Sequence, residues 1–313
     1  MLETLYGKPL PPDEPIGESW EITDRPEGVS EVAAGPLAGR TLRELMEQHR
    51  AGLLGEAADC GGRFPLLVKL LDARQMLSLQ VHPPARRAAE LGGEPKTEMW
   101  YVAHAEPDAE LMAGVRPGVT RERFAQMLRD GTAAEAVPRL RVQVGDALFL
   151  PSGRLHALGA GLVVFEIQQN SDTTYRVFDW NRVGTDGRPR ELHIEPALAS
   201  IDFSDTEPAL IPRRFEIAGP LEKRLLVDDP LFRVEQWRMI SRDPIPLGGA
   251  RRPLVLAVLE GRCQINHPPT ATTLSLTPGA FCLLPAVTRE HGQLVGARGA
   301  GCLVAEPGSS AAR

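Results

Sequence analysis

Gly145-Asp146-Ala147-Leu148-Phe149-Leu150-Pro151-Ser152-Gly153-Arg154-Leu155-His156 reads G-x5-P-x-G-x2-H. The glycine opens a turn, Ala147 to Leu150 make a short apolar strand, and the Pro-x-Gly bend aims one imidazole back toward the strand. A histidine at that position is a candidate metal ligand. Upstream, Leu77-Ser78-Leu79-Gln80-Val81-His82 alternates, so an extended strand turns Leu77, Leu79 and Val81 to one side and Ser78, Gln80 and His82 to the other. The same alternation in Lys96-Thr97-Glu98-Met99-Trp100 puts Lys96, Glu98 and Trp100 on one face.

Gln80, His82, Glu98 and His156 together offer an amide oxygen, two imidazoles and a carboxylate. That mixed N/O set suits one Zn2+ per chain, with Mn2+, Fe2+ or Co2+ as substitutes. A polar row backed by an apolar row is what a β-barrel wall beside a wet site looks like.

The Gly145 to His156 pattern matches the second motif of the cupin β-barrels. Taken with Lys69-Leu70-Leu71, Ser78-Leu79-Gln80-Val81-His82-Pro83, Lys96-Thr97-Glu98-Met99-Trp100-Tyr101, Glu166-Ile167-Gln168-Gln169-Asn170-Ser171-Asp172-Thr173-Thr174-Tyr175-Arg176 and the earlier Gly17-Glu18-Ser19-Trp20-Glu21, the chain resembles the type I mannose-6-phosphate isomerases in their short bacterial form. The blocks run in order from about residue 7 to 182. The resemblance implies a mainly β fold of two cupin-like jelly-roll barrels with a small helical insertion. It implies an enzyme that interconverts mannose 6-phosphate and fructose 6-phosphate, moving a proton between C1 and C2 through an enediol.

By that resemblance Arg176, twenty positions after His156, is the catalytic arginine, a permanently charged fork for a developing oxyanion. The plainer reading of Arg176 is an ion pair with Asp172 or Asp179. Glu166 and Asp172 are both candidate bases if burial raises a carboxyl toward neutrality, and Lys96 is the third candidate if desolvation lowers its pKa. Lysine fills only four of the 35 basic positions, Lys8, Lys69, Lys96 and Lys223, and two of these stand beside the metal motifs. Lys69 and Lys96 are therefore candidate phosphate contacts, joined by Ser78 through the resemblance. Pro95-Lys96-Thr97-Glu98 replaces the His-Lys-Pro-Glu of longer family members, so no histidine flanks this lysine.

Composition agrees with a two-module enzyme of the cytoplasm. At 313 residues the chain exceeds one ordinary domain, and 42% apolar residues can build sizeable cores. A net charge of −6 provides no general basic surface for nucleic acid. No apolar run approaches a membrane span. Cys60, Cys263, Cys282 and Cys302 lack C-x-x-C spacing, which reads as free thiols in a reducing compartment. The expected partner is a small sugar phosphate, and the expected state a monomer or homodimer.

The expected modules are a metal-binding domain over 1–206 and a second, degenerate barrel over 207–313. A helix is expected over 41–49 with Thr41 at its N-cap, and a helical excursion over about 119–136, with Phe124, Met127 and Leu128 on its packed stripe. Gly279-x5-Pro285 repeats the Gly145-x5-Pro151 spacing, but Ala-Val-Thr-Arg follows at 286–289 and no histidine motif precedes it. His267 and His291 read as loop histidines, and 307–313 as a loose tail. Two other classes fit parts of the pattern. A cupin oxygenase holding Fe2+ or Mn2+ would more often carry His-x-His where this chain has Gln80-Val81-His82. A noncatalytic sugar-phosphate-binding regulator would have little need for a full ligand set plus Arg176.

Overall fold

The computed structural model describes residues 1–12, 14–183 and 187–309, and the fold is mainly β. Residues 70–211 make one compact unit; residues 1–69 and 212–313 together make another. Residues 1–69 thus group with 212–313. The reason is backbone pairing. Glu56 N–H donates to Arg251 O at 2.7 Å, Ala58 N–H donates to Gly308 O at 3.1 Å, and Lys8 stands over the Phe281 ring.

The 70–211 unit is a sandwich. One sheet carries Leu66–Ala73, within which the division between units falls, followed in order by Leu162–Gln169, Glu98–Ala105 and Ala147–Leu150. The other has the order Tyr175–Phe178, Leu79–Val81, His156–Leu158, Glu110–Ala113 and Arg139–Arg141. Apolar side chains from both sheets meet between them, Trp100, Val102, Leu148 and Val164 from the first against Leu111, Ala113 and Leu158 from the second. The opposite face of the second sheet is covered by helices. Leu79, Val81 and Val177 pack there with Phe124, Met127 and Leu198, each fully buried large side chain contributing roughly 1.5–3 kcal/mol. Leu77 departs from the expected row: it lies before the strand begins and packs with the inner cluster.

The helical excursion forms as Arg121–Arg129, capped by the Thr120 hydroxyl, and a 3-10 turn Ala133–Ala136. Between them Gly131 takes φ 74°, a conformation that ends the helix and costs a side-chain-bearing residue dearly. In the other unit the helix expected over 41–49 runs on to Leu54 as Leu42–Leu54, with a break at His49; Thr41 and Glu44 form a reciprocal capping box.

Within the other unit, the strands of residues 212–309 form two sheets, of six and four strands, around Trp237, Leu256, Ile265 and Leu294. Sequence reading missed several of its strands, among them Leu221–Asp228 and Gly301–Pro307. The expected loose tail over 307–313 is corrected at its start: Pro307 ends the strand Gly301–Pro307 of the six-stranded sheet, Gly308 N–H donates to Leu231 O at 2.7 Å, and Ser309 bridges to Ala57. Residues 310–313 of that expectation lie outside the described residues. Where a Pro-x-Gly bend would continue after Pro285, the chain forms the short helix Ala286–Arg289.

Candidate metal centre

The facing sheets bring the sequence-predicted ligands together. Glu98 opens its strand in the first sheet; His156 opens its strand in the second and pairs with Gln80, and His82 follows directly after Val81. The motif glycine is needed structurally: Gly153 sits at φ 98° and donates its N–H to His82 O at 2.9 Å, so the bend that presents His156 also holds His82. Thr97 locks the third arm. Its N–H donates to Gln169 Oε1 at 2.9 Å, its carbonyl accepts from Gln169 N, and its hydroxyl accepts from Ser152 N–H.

His82, Glu98 and His156 are all buried, and among the described residues they form a cluster whose ligand atoms lie within 4.8 Å of one another. His82 Nδ1 contacts Thr173 O at 2.8 Å and His156 Nδ1 contacts Arg154 O at 2.9 Å. A carbonyl only accepts, so each ring carries its proton on Nδ1 and turns the Nε2 lone pair inward. The His82 lone pair then faces Glu98 Oε2 at 3.4 Å, and that of His156 faces Glu98 Oε1 at 3.3 Å. Glu98 Oε1 is buried and takes no hydrogen bond. The Lys96 ammonium lies 3.4 Å from His82 Nε2 and contacts Glu98 Oε2, so the acceptors that face one another with no cation between them are His156 Nε2 and Glu98 Oε1. Ligand bonds of ~2.0–2.1 Å at tetrahedral angles place donor atoms about 3.3–3.4 Å apart, a separation each imidazole keeps from its own oxygen of Glu98.

Gln80 presents its amide nitrogen, not its oxygen, to His156 Nε2 at 3.3 Å; turning the amide over would bring Oε1 to the same place. Ser78 Oγ donates to Gln80 Oε1 at 3.4 Å. Trp100, buried beside the cluster, meets the His156 ring edge-on at 5.2 Å between centroids and donates Nε1–H to Glu166 Oε1 at 2.9 Å.

Lys96 joins the same group: its ammonium contacts Glu98 Oε2 and lies 3.8 Å from Glu166 Oε1. Burial disfavours its charge, but Glu166 and then Glu98 outweigh burial and raise its pKa, so Lys96 is an ammonium and not a free amine. Burial raises the Glu98 carboxyl, yet the charges of Lys96 and His82 carry it well below the usual range. Burial, reinforced by the charge of Lys96, pushes His82 down to about 4. Well above pH 6.5 that imidazole is neutral folded or unfolded. As pH falls from 6.5 toward 4 the unfolded chain binds a proton that the fold refuses, so metal-free protein loses stability across that window. The His82 contribution between pH 7 and pH 5 is about 2 kcal/mol. Urea unfolding of chelated protein at the two pH values should show this loss, and His82→Gln should shrink it; an equal loss in that variant would assign the effect elsewhere.

Arg176 pairs with Gln80 across adjacent strands, which places both side chains on one sheet face. Asp179, its suggested ion-pair partner, is instead bridged by Arg182 and Arg190. Arg176 Nη1 donates to Glu191 O at 2.9 Å, and its Nε is buried without a partner. Asp172 is exposed, whereas Glu166 is buried. Lys69 carries partners of its own, Glu18 at 3.5 Å and the Trp20 ring at 4.4 Å.

Sequence reading assigned no role to Gln168. It pairs with Glu98 across the first sheet, donates to Gln169 O and Ser171 O, and leaves Oε1 buried without a partner. The alternation of Val164, Glu166 and Gln168 along their strand was the available signal for its inward face.

Comparison with known proteins agrees with the geometry. Residues 2–93 match the family model described as phosphomannose isomerase type I, catalytic domain. A curated relative, probable mannose-6-phosphate isomerase GmuF of Bacillus subtilis (strain 168), is 40% identical over 91% of this chain and 88% of its own length. The solved mannose 6-phosphate isomerase from Bacillus subtilis superposes with a TM-score of 0.86 at 32% identity, covering 97% of this chain and 93% of that one. A zinc-bound mannose 6-phosphate isomerase shares the fold at a TM-score of 0.75 and 19% identity, over 98% of this chain and 95% of that one. The chain therefore belongs to the type I mannose-6-phosphate isomerase family.

Proposed function

We propose that this protein interconverts mannose 6-phosphate and fructose 6-phosphate at a zinc site held by His82, Glu98 and His156, with Gln80 adjoining. The observation that carries this reading is the pair of imidazoles whose Nδ1 protons are tied to carbonyls and whose Nε2 lone pairs face buried Glu98. Two histidines and one glutamate with a further position open are a catalytic zinc set. Bound zinc would supply positive charge to the sugar oxygens, where the enediolate gathers negative charge.

The remaining roles fall to the chain. Glu166 is the better placed base for the C2 proton: it is buried, oriented by Trp100 Nε1–H, and near the Lys96 ammonium. Asp172, exposed to water, is the alternative, and comparing Glu166→Gln with Asp172→Asn separates them. Lys96 and Arg176 are the cations that meet developing charge on the sugar. Ser78 remains the phosphate hydrogen-bond donor suggested by resemblance. Lys69, already engaged by Glu18 and Trp20, has no geometric support for that role. The catalytic part is assigned to residues 70–211, as a monomer or homodimer. The four cysteines are free thiols, which supports a cytoplasmic location, and no helix of the described residues is long and apolar enough to cross a membrane.

The test is conversion of mannose 6-phosphate to fructose 6-phosphate by purified protein before chelation, after it, and with Zn2+ restored. Turnover should fall at least tenfold on chelation and return with zinc. No conversion by metal-loaded protein would overturn the assignment.

A further inference from the structure

The unit containing residues 212–313 holds no histidine–carboxylate cluster of the kind just described among its described residues, yet its interior is not apolar throughout. Along Phe232–Met239, residues Arg233, Glu235 and Trp237 share one face, and along Gly301–Pro307 so do Cys302, Val304 and Glu306. The strands pair with Arg233 opposite Glu306, Glu235 opposite Val304 and Trp237 opposite Cys302. Trp237, Cys302 and Val304 belong to the core between the two sheets. The charged residues of these two rows therefore occupy the same inner face, farther along, where the sandwich opens.

A cavity of about 360 Å³ lies there, lined by Lys223, Arg233, Glu235, Arg252, Arg289 and Glu306. That volume suits a small metabolite. Its charges are arranged unequally. Glu306 is shared by Arg289 and Arg252, the latter at 3.2 Å. Glu235 is shared by Arg233 at 2.7 Å, Lys223 at 3.8 Å and Trp237 Nε1 at 2.7 Å. Arg233 has Asp228 as a further partner at 2.9 Å. Setting Arg233 against Asp228, three cations are left to two carboxylates, a positive surplus inside a chain of net charge −6.

The sequence relation between the two G-x5-P motifs gives this surplus a meaning. In 70–211 the residues after Pro151 deliver His156. After Pro285 the chain delivers Arg289, which is buried and fixed by donating Nε–H to Leu247 O at 2.7 Å and Nη1–H to Arg252 O at 3.1 Å. Guanidinium forks and an ammonium around a concave space are the donors that bind phosphate oxygens.

We propose that this cavity is a second binding site, taking the phosphate group of a small phosphate monoester. Lys223 makes the test direct, because the chain has only four lysines. Reductive 13C-methylation preserves their charge, and zinc-loaded protein is titrated with inorganic phosphate while the methyl-lysine signals are followed. The Lys223 signal, assigned by Lys223→Arg, should shift saturably. Arg252→Ser should weaken that response by about tenfold or more while isomerase turnover stays unchanged. Should Arg252→Ser fail to fold, calorimetry on Lys223→Met must show loss of one phosphate-binding event relative to the parent protein. A stationary Lys223 signal during phosphate addition, or a response and binding stoichiometry untouched by these variants, would overturn the site.

Discussion

Replacing His156 with alanine is expected to release the zinc and lower isomerase turnover by about 10³-fold or more, a loss of several kcal/mol of transition-state stabilisation. The imidazole is buried, its Nδ1 is committed to Arg154 O, and its Nε2 faces Glu98 Oε1. Alanine removes that lone pair and leaves two donor residues, too few for tight closed-shell binding in competition with water. His82→Ala should behave alike, since His82 fills the corresponding role against Glu98 Oε2. Metal analysis after gel filtration and a coupled fructose 6-phosphate assay read the two effects together. Because His156 also packs against Trp100, circular dichroism must show that the variant is folded. A folded variant that retains a full equivalent of zinc and full turnover would remove His156 from the metal site.

The ligand set was legible because it rests on short-range rules. Period-two alternation put Gln80 and His82 on one face and Lys96, Glu98 and Trp100 on another, and the glycine bend aimed His156; the structure joins these three arms through Gly153 and Thr97. Lys69 illustrates where such reading stops. Every residue of Leu66–Ala73 is buried, so the strand has no polar face to give its direction away, and only the distant Glu18 and Trp20 show what the ammonium meets. The difference in burial between Glu166 and Asp172 was similarly beyond reach, since burial is a property of the fold. Lys96 depended on a balance of magnitudes. Desolvation alone argues for a depressed pKa, and Glu166, brought from another strand, together with the neighbouring Glu98 reverses its sign. The allegiance of residues 1–69 rests on backbone pairing with Arg251 and Gly308, nearly 200 residues or more away, which no local pattern encodes.

Arg176→Ala separates charge stabilisation from metal binding. The arginine backbone is held from both sides, its N–H donating to His193 Nδ1 at 3.2 Å and its carbonyl accepting from His193 N–H at 2.8 Å. Its side chain shares a face with Gln80. Burial, and then the nearby charge of Arg190, lower its pKa, yet a guanidinium remains cationic at any working pH. It donates to one backbone carbonyl and keeps a buried Nε unused, while the local carboxylate Asp179 is occupied by two other arginines. Under the proposed reaction, a cation with spare donors on the sheet face of Gln80 would meet an oxyanion that exists only during turnover. Alanine at 176 should therefore leave zinc near one equivalent and lower kcat by about 10²-fold or more, the scale of losing one preorganised charge partner. Lysine should restore only part of this, because a point charge on a different stem cannot reproduce the fork. Steady-state kinetics with parallel metal analysis provides the check: unchanged kcat in the zinc-loaded alanine variant would reduce Arg176 to a structural residue, whereas lost zinc would make it a support of the metal site.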